Sequence, residues 1–263
     1  MKKIAALLTI LCLLSSCGSV PLTGRRQILL VSDAELVSAS LTQYNEFMQT
    51  VTLSTDRTKT AMVDRIGRNI STATETYLKQ NGMESELANF SWEFKLVKDE
   101  QVNAFCMPGG KIVVYEGLLP LIASDDELAV VIGHEIGHAV AKHSNERMSQ
   151  ALLAQFGASI VNEALSTKTA AVQTLGNSVF GLGAQLGVML PYSRKQEYEA
   201  DHLGLILMTL AGYRPESAIS FWQKMSAGNS GSTMEFMSTH PSDEKRIAEL
   251  QKILPEMTKY TNK

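Results

Sequence analysis

The stretch Asp125–Ser144, DDELAVVIGHEIGHAVAKHS, governs how the rest of this 263-residue chain is read. At its centre His134, Glu135 and His138 stand in the spacing His-Glu-x-x-His. Residues four apart on a helix lie one above the other on the same face, with Cβ atoms roughly 5–6 Å apart, so both imidazoles can reach one ion. Glu135 follows the first histidine directly and stands beside that ion, a carboxylate placed to take a proton from a metal-bound water. The helix itself is legible. Ser124 or Asp125 is a good N-cap, acidic residues fill the first turn, and Leu128, Val131, Ile132, Ile136 and Val140 form an apolar stripe. A core helix carrying two hydrogen-bonded histidines would look the same over these residues. A third ligand elsewhere in the chain separates the two readings.

The candidate for that ligand lies on SRKQEYEADHLGLILM, residues 193–208, which reads as a second helix. Glu197 and Asp201 are four apart and share a face, whereas Glu199 points about 200° away from each at about 100° per residue. Either Glu197 with Asp201 or Glu199 alone can face the metal, and spacing leaves the choice open. The pair offers more: one carboxylate as ligand and one to accept the second ring N–H of His134 or His138, which fixes the tautomer. A catalytic zinc site usually takes three protein ligands and one water. On a continued helix His143 lies about 140° around from His138 and reads as structural. His202 points away from the pair.

Upstream of the first helix lies the clearest strand signal. FSWEFKLVK (90–98) alternates, with Phe90, Trp92, Phe94 and Leu96 on one face. QVNAFCM (101–107) and KIVVY (111–115) flank the turn Pro108-Gly109-Gly110. A small antiparallel sheet should therefore pack on the histidine helix. Its edge near Val102–Met107 could accept an extended peptide as an added strand. Further helices are expected from Ser32 through Phe47, from Thr55 to Asn81, from Pro215 to Met225 and from Ser242 to Ile253. Between Lys168 and Arg194 no residue is charged. Its polar interruptions and four glycines favour a buried or site-covering helix pair over 149–190, with 169–193 as a candidate lid, rather than a membrane span.

The N-terminus reads as a targeting segment. Lys2 and Lys3 precede an apolar run, Ile4 to Leu14, too short to span a bilayer. Leu14-Ser15-Ser16-Cys17-Gly18 then resembles a bacterial lipobox, with Cys17 as the lipid-modified first residue of the mature protein. The expected organisation is a signal peptide over 1–16, a lipidated tether over 17–31, and one domain over 32–263. Gly18, rather than Asp, after the cysteine points to the outer membrane, facing the periplasm. Of the three cysteines, Cys106 is left alone in the mature domain and reads as a small buried apolar residue. Charged residues make up 19% and net charge is −3, which gives no nucleic-acid footprint.

HEIGHAVAKH followed by SRKQEYEAD, then STHPS with Arg246 downstream, resembles the M48 family of zinc metallopeptidases, which includes the HtpX, Ste24 and Oma1-like enzymes. The resemblance spans roughly residues 30–253 and is strongest to compact periplasmic lipoprotein members. It implies an α+β, predominantly helical, zincin-like fold and one Zn²⁺ per chain. By the same resemblance His134, His138 and Glu197 are the ligands, Asp201 orients a zinc-bound histidine, and Glu135 is the general base. The loop around His240 would approach the site, where His240 could stabilise the oxyanion or sit on the zinc and block it. Polypeptide substrates are implied, in particular misfolded or unassembled envelope proteins. The alternative is an envelope assembly factor or chaperone-like binder with a latent site gated by His240.

Overall fold

A computed structural model of the chain describes residues 17–153, 193–227, 236, 240 and 244–261. The expected signal peptide, and the expected helix pair over 149–190 beyond residue 153, lie outside the described residues. The chain opens with a hairpin, β1 (Cys17–Ser19) against β2 (Arg26–Ile28). Helices α1 (Asp33–Thr50) and α2 (Arg57–Gln80) follow, then β3 (Glu93–Val97), β4 (Ala104–Met107) and β5 (Lys111–Tyr115). A short 3₁₀ turn leads into α3 (Asp125–Val140), the histidine helix, and a further helical run covers 143–153. The second half contributes α4 (Arg194–Leu210), α5 (Ser217–Ala227) and α6 (Glu244–Ile253). Among the described residues no helix is long and apolar enough to cross a membrane.

Local sequence explains where the helices start. Ser32 and Glu35 form a capping box on α1, and Ser193 with Gln196 forms another on α4. The Ser124 hydroxyl accepts from the Glu127 amide at the start of α3, and Asp125, Asp126 and Glu127 complement the helix dipole. Helix α2 ends at Asn81, with Gly82 at φ 72°, the left-handed conformation glycine adopts without cost.

The three-stranded sheet has the order β3-β5-β4 and is mixed, not antiparallel. The Pro108–Gly110 turn makes β4 and β5 antiparallel neighbours, whereas β3 pairs with β5 in parallel. The physical reason lies in residues 98–103. Strands lie about 4.8 Å apart, so these six residues need only pass over one strand position, about 10 Å, to start β4 in reverse. That leaves the central slot for β5. Alternation then works on both faces. Phe94, Leu96, Cys106, Ile112 and Val114 join the core that holds α2 and α3. Phe105, Met107, Val113 and Tyr115 face α1 through Leu36, Tyr44 and Phe47. Cys106 is a buried free thiol.

Helix α3 is the centre of the molecule, buried from Glu127 to His138. It crosses α4 in backbone contact. A Cβ on Gly137 would lie 2.7 Å from the Ala200 carbonyl oxygen, and one on Gly204 would lie 2.8 Å from the His134 amide nitrogen. Two helices that carry ligands on facing sides can bring short carboxylates to imidazoles only at such a separation. Helix propensity alone predicts that Gly137→Ala stabilises the fold by about 1 kcal/mol. The contact with Ala200 predicts the opposite sign, a loss of about 1–3 kcal/mol, to be read from chemical denaturation of the metal-free protein.

Candidate metal centre

Six of the residues singled out in the sequence meet in one buried cluster. His134, Glu135 and His138 come from α3, Glu197 and Asp201 from α4, and His240 from the connection to α6; all are at most 5% exposed. Cys17 is not among them; it opens β1. The His134 Nε2 and His138 Nε2 atoms are 3.0 Å apart, and Glu197 places one oxygen 3.4 Å from the first and the other 3.3 Å from the second. His240 Nδ1 lies 3.1 Å from His134 Nε2 and 3.3 Å from the Glu197 oxygens. The four donors lie within 4.8 Å of one another.

These separations test the site for a metal. Bonds of about 2.0–2.1 Å in a tetrahedron put neighbouring donor atoms about 3.3 Å apart. The donor-atom distances that link His134 to His138, Glu197 and His240, and Glu197 to His138 and His240, run from 3.0 to 3.4 Å, close to that value, so the donor set fits a cation at its centre. Glu135 lies just outside it. Its Oε1 is 3.4 Å from His240 Nε2 and, among the described residues, has no hydrogen-bond partner. The Cys106 amide on edge strand β4 donates to the same carboxylate.

Residues around the donors fix their orientation. Asp201 Oδ1 lies 2.9 Å from His134 Nδ1, which directs Nε2 inward. Arg246, fully buried, grips Asp201 through Nε at 2.6 Å and Nη2 at 2.7 Å and reaches Glu197 Oε2 at 3.0 Å. Its guanidinium lies over the Trp222 ring, 3.5 Å from the centroid. Glu199 faces away from the donors, as its angle around α4 requires, and accepts from His143, Thr23 and Arg25.

Electrostatics divide the carboxylates. Burial opposes ionisation of Glu197, but the imidazole of His240, Arg246 and the hydrogen bonds from His134 and His138 hold it well below the usual range. Burial pushes Glu135 up to about 7; the His240 imidazole opposes the shift, while the Glu197 charge adds to it. Burial and the neighbouring His134 keep His138 well below the usual imidazole value, so its lone pair is available. Burial works against charging His134, yet Asp201 and Glu197 outweigh it and raise its pKa. A proton on His134 therefore competes with the metal.

Two expectations change, the first at the end of α3 and the second in the N-terminal segment. Helix α3 stops at Val140, and Lys142 takes φ 56°. The chain turns, and His143 comes back against His138, Nδ1 to Nδ1 at 2.9 Å, instead of lying on the far side of one continued helix. Arg25 and Thr23, in the segment expected to be a tether, lie packed against α4. Their partners are 174 to 176 residues away, and no local signal points to them. Trp222, under Arg246, carried none either. His202 turns outward toward Glu256, 3.7 Å away.

Donors converging between two helices, with an unpartnered carboxylate oxygen beside an edge strand, define the metallopeptidase class of fold and site. The chain belongs to peptidase family M48, whose model matches residues 67–254. It is 38% identical over 181 residues to the mitochondrial metalloendopeptidase OMA1 of Schizosaccharomyces pombe, covering 65% of this chain and 49% of that protein. Against human OMA1 it is 27% identical over 253 residues, 91% of this chain and 46% of the relative. Against the metalloprotease LoiP of Escherichia coli K12 it is 31% identical over 159 residues, 60% and 61% of the two chains. The chain thus spans between a third and a half of the length of the OMA1 proteins it matches.

Metal affinity should fall as pH falls. His134, raised above its ordinary value near 6.5, must lose its proton to bind. Co²⁺ titrations across pH 5.5–8 should show weakening that begins above pH 6.5, a window that moves to lower pH in Asp201→Asn.

Proposed function

We propose that this chain is a zinc-dependent metalloendopeptidase of the bacterial cell envelope, with misfolded or unassembled envelope proteins as its substrates. The observation that carries the reading is the meeting of the His134, His138 and Glu197 donors with an unpartnered Glu135 oxygen beside β4. Bound there, zinc would supply a Lewis acid that polarises a peptide carbonyl and makes a water acidic enough to attack near neutral pH. Glu135 takes the proton of the attacking water; a carboxyl pushed towards 7 by burial holds it and returns it to the leaving amine. Asp201 and Arg246 keep His134 in the tautomer that faces inward.

The surroundings support a peptide substrate. β4 is an edge strand, and its Cys106 amide reaches Glu135, so a peptide laid along that edge brings a carbonyl to the base. A narrow cleft of about 40 Å³ lies beside His138, walled by Leu36, Val37, Phe90, Met107 and Pro108 together with the charged Asp33, Glu86 and Lys142. Supporting the envelope location is the lipobox-like Leu14-Ser15-Ser16-Cys17. We assign residues 1–16 as signal peptide, 17–31 as the lipidated N-terminal segment and 32–263 as the catalytic domain.

One observation favours a latent form. His240 Nδ1 occupies the fourth donor position, the place a catalytic site leaves for water. In this arrangement His240 closes the site and must withdraw before a substrate carbonyl can enter.

Casein cleavage and zinc content, measured together, test these assignments. Glu135→Gln should keep one zinc and lose at least about 10²-fold in kcat; undiminished cleavage removes Glu135 as the base. His240→Ala should raise kcat/KM if His240 closes the site, and lower it by about 10²-fold if His240 stabilises the oxyanion. Separately, Cys17→Ala should abolish lipid incorporation and move the protein from the membrane fraction to the soluble one.

A further inference from the structure

The two ligand histidines are held from behind by different means. Behind His134 stands Asp201, a residue of the same cluster. Behind His138 stands a relay that leads out of the family-matching region to the N-terminal hairpin. Because His138 Nε2 faces the donors, a neutral ring must carry its proton on Nδ1. That atom lies 2.9 Å from His143 Nδ1, which must then accept. A neutral His143 accepting at Nδ1 carries its own proton on Nε2, 3.0 Å from Glu199 Oε2. Each link is thus compatible with only one proton direction, outward from the metal site to Glu199.

Glu199 is in turn held by the segment upstream of residue 67. The Thr23 hydroxyl donates to Oε1 at 2.6 Å, and Arg25 Nε donates to Oε2 at 2.6 Å. The remaining two nitrogens of Arg25 take both oxygens of Glu146, at 2.7 and 2.8 Å, and Gln196 donates to the second of these at 2.8 Å. Val20, 1% exposed, packs with Ala141 and Leu203 and anchors the same hairpin.

We infer that Thr23 and Arg25, acting through Glu199 and His143, are positioning residues for the metal ligand His138. The N-terminal hairpin thereby completes the surroundings of the metal centre. A carboxylate at the far end of the relay makes His138 a better donor and fixes its ring, as outer partners of metal-bound histidines generally do. Arginine suits the position because its planar fork gives one nitrogen to Glu199 and two to Glu146 at once, a bidentate grip that the single nitrogen of a lysine does not provide. The competing reading is that these contacts only fasten the hairpin to the domain. The inference rests on His138 being a ligand, and the test separates the two.

The experiment uses the full chain in detergent, stripped of metal. Zn²⁺ affinity is measured by competition with a chromophoric chelator, the Co²⁺ absorption spectrum is recorded, and the unfolding midpoint of the metal-free form is followed in parallel. Glu199→Gln keeps the side chain's size and removes its charge; Arg25→Ala removes the bridge; Thr23→Val removes one hydroxyl and keeps the fold. Glu199→Gln and Arg25→Ala should weaken Zn²⁺ binding by roughly 10–100-fold and shift the Co²⁺ bands, with Thr23→Val moving the same way by less. If all three bind Zn²⁺ within about two-fold of wild type with unchanged Co²⁺ spectra, whatever the unfolding midpoints do, the relay is only a fastening and the inference fails. If the wild-type chain binds no Zn²⁺, the metal site itself is wrong and both readings fall.

Discussion

Helix α3 can lie on α4 only because residues 133, 137 and 204 have no side chain. With a Cβ at 137 or 204 the two backbones would have to separate by several tenths of an ångström or more, since the nearest atoms would be 2.7 and 2.8 Å away. Glutamate is a short ligand. Glu197 spans both histidines, 3.3 and 3.4 Å from their nitrogens, and it keeps that bridge only while the helices stay in contact. The glycine inside HEIGH is therefore a packing requirement of the site as much as part of a motif. It explains why a helix with two glycines in its last half stays helical: the packing energy outweighs the weak propensity.

The same contact creates an electrostatic problem. Glu135, Glu197 and Asp201 are all buried around the same histidines, and buried charges are tolerated only when paired. Arg246 is the buried cation that answers part of this. It binds Asp201 with two nitrogens and Glu197 with a third, and Trp222 covers its face. The remaining negative charge is what a divalent ion would neutralise. The donor spacing and the charge balance thus lead to the same conclusion from independent observations.

Around this centre the outer contacts come from distant parts of the chain. The hairpin at 17–28, the segment after α3 and the middle of α4 share one ion-pair network through Arg25, Glu146 and Glu199. Glu199 is held down to about 2 against its burial by His143, Thr23 and Arg25, the behaviour of a carboxylate in a fully satisfied network. The N-terminal segment is consequently part of the domain's packing from Val20 onward.

Much of this was legible without coordinates. His-Glu-x-x-His at helical spacing, the cap at Ser124 and the alternation in β3 are local patterns whose period or cap chemistry dictates the element. The shared face of Glu197 and Asp201 also followed from spacing, although whether that face or Glu199 met the histidines did not. Tertiary structure alone decided the rest. The parallel pairing of β3 with β5 depends on which slot β5 fills, not on the strands' own residues. The turn at Lys142 reversed the geometry expected for His143. Arg25, read as part of a linker, proved to be a half-buried bridge, unforeseen because its partners lie more than a hundred residues away. Sequence fixes what is periodic and near in the chain, and these contacts are neither.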